Sequence, residues 1–149
     1  MKVKCIANKG KNLSGKVIEA GGFRVSPFGI DIGNVYIVYS MFLCRGTLQY
    51  LLLGESTDAP FWYHADFFEV VDSLLSLEWH FTFRGYDNYD KDDEDQNPLA
   101  AIWGYKEMIL DLEHYVDLIE REPEALDIFF KRQREMDEYE ELSKFMYKK

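Results

Sequence analysis

Residues 2–7, Lys-Val-Lys-Cys-Ile-Ala, alternate at first between polar and apolar, as a half-buried strand does. Residues 8–15 are rich in turn chemistry. Residues 16–19 read as a short strand before the loop signals Gly21-Gly22 and Ser26-Pro27-Phe28-Gly29. Residues 35–43 and 47–53 are β-branched, aromatic and aliphatic, and Arg45-Gly46 separates them, which predicts a hairpin. Neither arm alternates cleanly, so both faces are expected to be covered. Residues 54–60 predict a loop, Phe61-Trp62-Tyr63-His64 a short aromatic turn, and residues 67–71 a further strand. Short strands joined by glycine-rich turns predict a small curled antiparallel sheet or an SH3-like barrel.

The alternation is strongest over residues 77–83. Leu77, Trp79, Phe81 and Phe83 fall on one face, and Glu78, His80 and Thr82 on the other. Residues 99–103 are expected to pair with this strand across an exposed acidic connection. Beyond Gly104 the period changes. Tyr105, Met108, Ile109, Leu112, Tyr115, Val116 and Ile119 recur at helical spacing, opposite Lys106, Glu107, Asp111, Glu113, Asp117 and Glu120. Glu122-Pro123 ends that helix, and a second starts near Pro123, with Ala125, Ile128, Phe129, Arg132, Met136 and Tyr139 on its apolar side. The reading is α+β in one domain: a β-rich part (1–75), a hairpin with an acidic loop (76–104), and two C-terminal helices (105–149).

Composition changes this picture in two ways. At 149 residues and 47% hydrophobic, the chain buries a core without disulfide or metal staples. With 11 Phe, 10 Tyr and 3 Trp, some rings are expected at the surface, where they suit contact with another protein. The net charge of -10 is unevenly spread. Residues 1–75 hold 7 Lys/Arg and 7 Asp/Glu, whereas residues 87–127 hold 14 Asp/Glu against 3 Lys/Arg. Such asymmetry favours a cationic partner and argues against nucleic acid. No signal peptide or membrane-length apolar run is visible, and Cys5 and Cys44 read as reduced, buried thiols of a cytoplasmic protein.

Candidate chemistry is sparse. The run Asp87-Asn88-Tyr89-Asp90-Lys91-Asp92-Asp93-Glu94-Asp95 fails the EF-hand template, because the glycine and the final glutamate are missing from their positions. His64, His80 and His114 show no ligand spacing, and each reads as a surface or half-buried residue. No nucleophile, base and orienter can be assembled, and no cofactor or metal is implied. The surface expected to bind a partner is Tyr86, Asp87, Tyr89, Asp90, Asp92, Asp93, Glu94 and Asp95. It is supplemented by Asp111, Glu113, Asp117 and Glu120 on the first helix. Tyrosine beside carboxylate combines apolar contact with complementarity to a Lys/Arg-rich groove.

Five segments carry a resemblance: residues 5–11, 35–39, 60–63 with 67–72, 103–107 and 128–131. Together they resemble small acidic bacterial immunity proteins of polymorphic-toxin and contact-dependent inhibition systems. The resemblance implies a non-enzymatic, cytoplasmic protein that neutralises one cognate toxin, and it transfers no functional residues. The acidic surface suggests that such a toxin domain is basic, as a nuclease would be. Two other readings stand beside it: a binding module for a different basic partner, and a small carboxylate-dependent hydrolase.

Overall fold

The computed structural model describes residues 1–9, 29–44, 46–55, 57–76, 78–83 and 99–146. The fold is α+β. Its strands are β1 (Lys2–Cys5), β2 (Val35–Ile37), β3 (Ser40–Cys44), β4 (Thr47–Leu53), β5 (Pro60–His64), β6 (Phe68–Asp72), β7 (His80–Phe83) and β8 (Leu99–Gly104). A 3-10 turn, Ala65–Phe67, joins β5 to β6. Three helices follow: α1 (Lys106–Leu110), α2 (Leu112–Glu120) and α3 (Pro123–Met146).

The strands form two antiparallel sheets, one ordered β2-β1-β6 and the other β5-β4-β3-β8-β7. The expected hairpin forms as β3–β4, with Ser40 opposite Leu51 and Cys44 opposite Thr47, but its first arm, expected over residues 35–43, divides: residues 35–37 leave as β2 and pair with β1 in the other sheet. The C-terminal hairpin also forms, with Phe81 opposite Trp103. It is not a separate layer, because β8 pairs with β3 from Ser40–Gly104 to Cys44–Leu99 and extends the same sheet. Ser40 and Gly104 need each other at this junction. The buried Ser40 hydroxyl donates to the Trp103 carbonyl at 2.5 Å, and a Cβ on residue 104 would lie 2.5 Å from that hydroxyl oxygen. Residues 61–64, expected as a turn, are strand β5. Their backbone completes the ladder to β4, with Trp62 opposite Leu51 and Tyr63 opposite Tyr50. The expected strand at residues 16–19 lies outside the described residues.

Two cores result. Val3, Cys5, Val38, Tyr50, Leu52, Tyr63 and Phe67 pack in one. Phe42, Leu51, Ile102, Tyr105, Met108, Leu118 and Phe129 pack in the other, beneath the helices. Tyr50 and Leu52 face one core and Leu51 the other, because neighbouring strand side chains point oppositely. This is why β4 shows no polar alternation: both of its faces are covered.

Candidate partner-binding surface

The single helix expected over residues 105–120 is two helices, divided at Asp111. Its carboxylate Oδ1 accepts the N–H groups of Glu113 (3.0 Å) and His114 (3.3 Å), capping α2. The backbone of Asp111 is extended, and its N–H closes α1 onto the Glu107 carbonyl at 3.0 Å. At the other end Arg121 takes a left-handed conformation (φ 63°), and the N–H of Glu122 reaches the Asp117 carbonyl at 2.9 Å. The Arg121 guanidinium lies 4.7 Å from the Phe61 ring centroid.

The faces of α2 differ from the expected stripe. His114 and Leu118 are buried, and Tyr115 packs against Phe42 and Trp62. Val116 and Ile119, expected in the core, are 44% and 52% exposed. The three-to-four spacing of Glu113, Asp117 and Glu120 sets them in one row on the outward side, with Val116 beside them. Glu113 and Glu120 are exposed and Asp117 is half-buried. Among the described residues, no ion pair engages these three carboxylates. Glu113 suits the first turn of α2, but the rest of the row is unfavourable within the chain itself. Like charges four residues apart repel. Asp117 and Glu120 also stand near the negative end of the helix dipole, and no basic residue occupies the last turn.

Behind this face the polar groups are satisfied. Arg132 of α3 makes a fork to Glu107 of α1, with Nε to Oε2 at 2.9 Å and Nη2 to Oε1 at 2.6 Å. Its Nη1 donates to Glu135 at 2.6 Å. The fork holds the Glu107 carboxyl below its ordinary range. Tyr105 and His114, both buried, share a hydrogen bond of 2.8 Å. Burial pushes the Tyr105 hydroxyl up and the His114 imidazole down, so both favour their neutral forms. Tyr39 reaches Asp137 at 3.4 Å, and burial raises both pKa values.

A second surface belongs to the β7–β8 hairpin. Phe81 and Phe83 share one face and are 54% and 55% exposed. The Phe81 ring lies 5.0 Å from that of Trp103. Tyr86, Asp87, Tyr89, Asp90, Asp92, Asp93, Glu94 and Asp95, which connect these strands, lie outside the described residues. The chain returns at Leu99, opposite Cys44. Tyr115 of α2 packs against Phe42 of β3, and burial pushes its hydroxyl up to about 12.

Elsewhere the chemistry is closed. Burial raises the Cys5 thiol pKa, and its Sγ donates to the Ala7 carbonyl at 3.3 Å, so the nucleophilic form is disfavoured. His64 is buried with Nδ1 unpartnered, as is the Trp79 Nε1, and burial lowers the His64 pKa. Among the described residues, no three His, Cys, Asp or Glu side chains gather as a metal-holding group. No described helix is long and apolar enough to cross a membrane. A groove of about 90 Å³ is lined by Ile37, Leu74, Leu75, Met136, Tyr139 and the Lys2–Glu140 ion pair.

Sequence reasoning found Glu113, Asp117 and Glu120 but missed the aliphatic residues beside them, because a helical stripe does not reveal which edge of it is covered. It also read His114 as an ordinary histidine. Its place four residues before Leu118 on the inner face was the available signal. Comparison with protein families, with curated proteins and with solved structures finds no match to this chain.

Proposed function

We propose that this chain is an immunity protein, a non-enzymatic inhibitor that binds a basic toxin domain and covers its working surface. The observation that carries this reading is the outward row Glu113, Asp117 and Glu120 with exposed Val116 and Ile119 beside it. The arrangement weakens α2 in the isolated chain, and lysine or arginine from outside would relieve it. Aliphatic contacts among the charges would supply the dry area that charge alone lacks. The six carboxylates of residues 87–95 add long-range attraction.

The test has two stages. The tagged chain captures its partner from the native host, and that partner is expressed alone and together with this chain. Growth arrest by the partner alone, relieved by co-expression, is the expected result. The variant E113Q/D117N/E120Q should bind the partner more weakly and with a shallower salt dependence. A captured partner that is harmless on its own would leave a binding module of another purpose as the better reading. Affinity and salt dependence unchanged in the variant would remove α2 from the interface.

A further inference from the structure

The three-stranded sheet turns Val3, Cys5, Tyr36 and Phe68 into the first core. Its opposite face is covered unevenly. At one end Lys2 stands across from Ile37, the Lys2 ammonium pairs with Glu140 of α3, and Ile37 packs with the second core. One row further along β1, Lys4 stands between Val35 of β2 and Glu69 of β6, and all three are exposed. Ile6 shares their face, because burial alternates without a break from Val3 to Ala7. Val35 and Ile6 are each 52% exposed. Ile32, in the turn tied to β1 by the Gly33 N–H and the Cys5 carbonyl, is 60% exposed. Single exposed aliphatics are ordinary, but three at one end of one sheet mark a contact surface.

We propose that this end of the sheet packs against the same end of a second copy of the chain, forming a two-fold dimer. The shape of the patch fits itself. Lys4 is the corner of an L, with Val35 one strand away (about 4.8 Å) and Ile6 two residues away (about 6.7 Å). With the sheets crossed near right angles, a two-fold axis along the diagonal exchanges the two arms. Ile6 of each copy then lies over Val35 of the other, and Lys4 of each copy lies beside Glu69 of the other. Each α3, standing over Lys2, is carried clear of the other copy's bare row. Charge selects the same occupant. The row holds one cation and one anion, so it is neutral and complementary to itself, and it offers a basic protein no surplus of carboxylate. Residues 1–75 hold 7 Lys/Arg and 7 Asp/Glu, so this is the half through which two chains of net charge -10 can approach. The inference stands apart from the basic partner proposed above.

Sedimentation equilibrium of the full chain from about 1 μM to about 1 mM should show reversible exchange between monomer and dimer. Methyl NMR over the same series should shift Ile6, Ile32 and Val35. Two single variants, Lys4→Glu and Glu69→Lys, are then measured alone and mixed in equal amounts. Each alone should dimerise about tenfold or more weakly, since two like-charged contacts replace two opposite ones. The mixture should form a heterodimer at least as tight as the native dimer. Mixing separates contact between copies from damage within a chain, because each variant keeps in the mixture whatever defect it has alone.

A monomer throughout the concentration series overturns the proposal. So does a dimer whose methyl shifts fall elsewhere, as at Val116 and Ile119 of α2, or a mixture no tighter than its parts. Shifts at Ile6, Ile32 and Val35 that appear only when a different protein is added assign the face to that protein and likewise overturn it.

Discussion

Two sets of helix carboxylates meet opposite fates in this molecule. Along the seam between the sheet, α1 and α3, Glu107 and Glu135 are held by Arg132, Glu140 by Lys2, and Asp137 lies against Tyr39. On the outer face of α2, Glu113, Asp117 and Glu120 have no such partner among the described residues. Residue type and helical setting are the same; pairing differs. The seam uses charge to tie elements together, and its removal should cost stability. The outer row burdens its own helix, and its removal should cost little or help.

The largest effect is expected at the apolar centre of the seam. Phe129 is fully buried, with its ring edge-on to Tyr39 at 5.4 Å. Phe129→Ala should destabilise by about 3–5 kcal/mol in denaturant unfolding. A loss near that of a surface substitution would show that α3 does not hold the sheet. Next is Tyr105→Phe, which leaves the buried His114 nitrogen without its partner. About 1–3 kcal/mol should be lost, with secondary structure unchanged by circular dichroism.

Acid should distinguish two kinds of titrating group, a buried histidine and a half-buried, paired carboxylate. The His114 pKa lies below its ordinary 6.5, mainly through burial, so the unfolded chain takes up the proton first as pH falls. Stability should therefore drop below pH 6.5, and His114→Gln should flatten that limb. His64 is lowered likewise and contributes to the same window. The Glu107 pKa lies below its ordinary 4.5, chiefly through the Arg132 hydrogen bonds. Its stabilisation is present above 4.5 and is lost as pH falls through the folded value. Arg132→Met should remove this lower limb in urea unfolding at stepped pH and leave the upper one.

The smallest effect is also the one that sharpens the contrast most. The substitutions D117N/E120Q should leave stability unchanged or raise it by about 0.3–1 kcal/mol, since dipole and like-charge repulsion near the C-terminal end of α2 are relieved. A clear loss in thermal unfolding would mean that the outer row supports the fold after all.

Local signals were legible wherever one face of an element meets water. Strands were expected over residues 2–7 and 77–83, of which Lys2–Cys5 and His80–Phe83 are strand, and the turn at Gly46 and the start of α3 at Pro123 could also be read from side-chain pattern. The pairing of β3 with β8 was not, because it joins residues as distant in the chain as Ser40 and Gly104 and leaves no short-range mark. Strand β5 was taken for a turn because a fully aromatic run lacks alternation when Trp62 and Tyr63 are both covered. The division of the helical region depends on Asp111, and an aspartate within a periodic stretch gives no warning that it will cap a new helix. Of the expected site, the charged row on α2 was readable as a pattern. The aliphatic residues that make it more than a solvated face were not, since they belonged to the same stripe as the core.

Arg121 shows where this chain accepts discomfort. A left-handed backbone suits glycine and costs other residues about 1–2 kcal/mol, yet here an arginine occupies it, with its head over Phe61. That ring belongs to β5 and that backbone to the bend between α2 and α3, so one side chain latches the bend to the sheet. Glycine would ease the bend and unfasten the latch. The helix that displays the outer row, seated by His114, Tyr115 and Leu118, is thus pinned at its far end by a residue that reads, in sequence, as one stray cation in an acidic stretch.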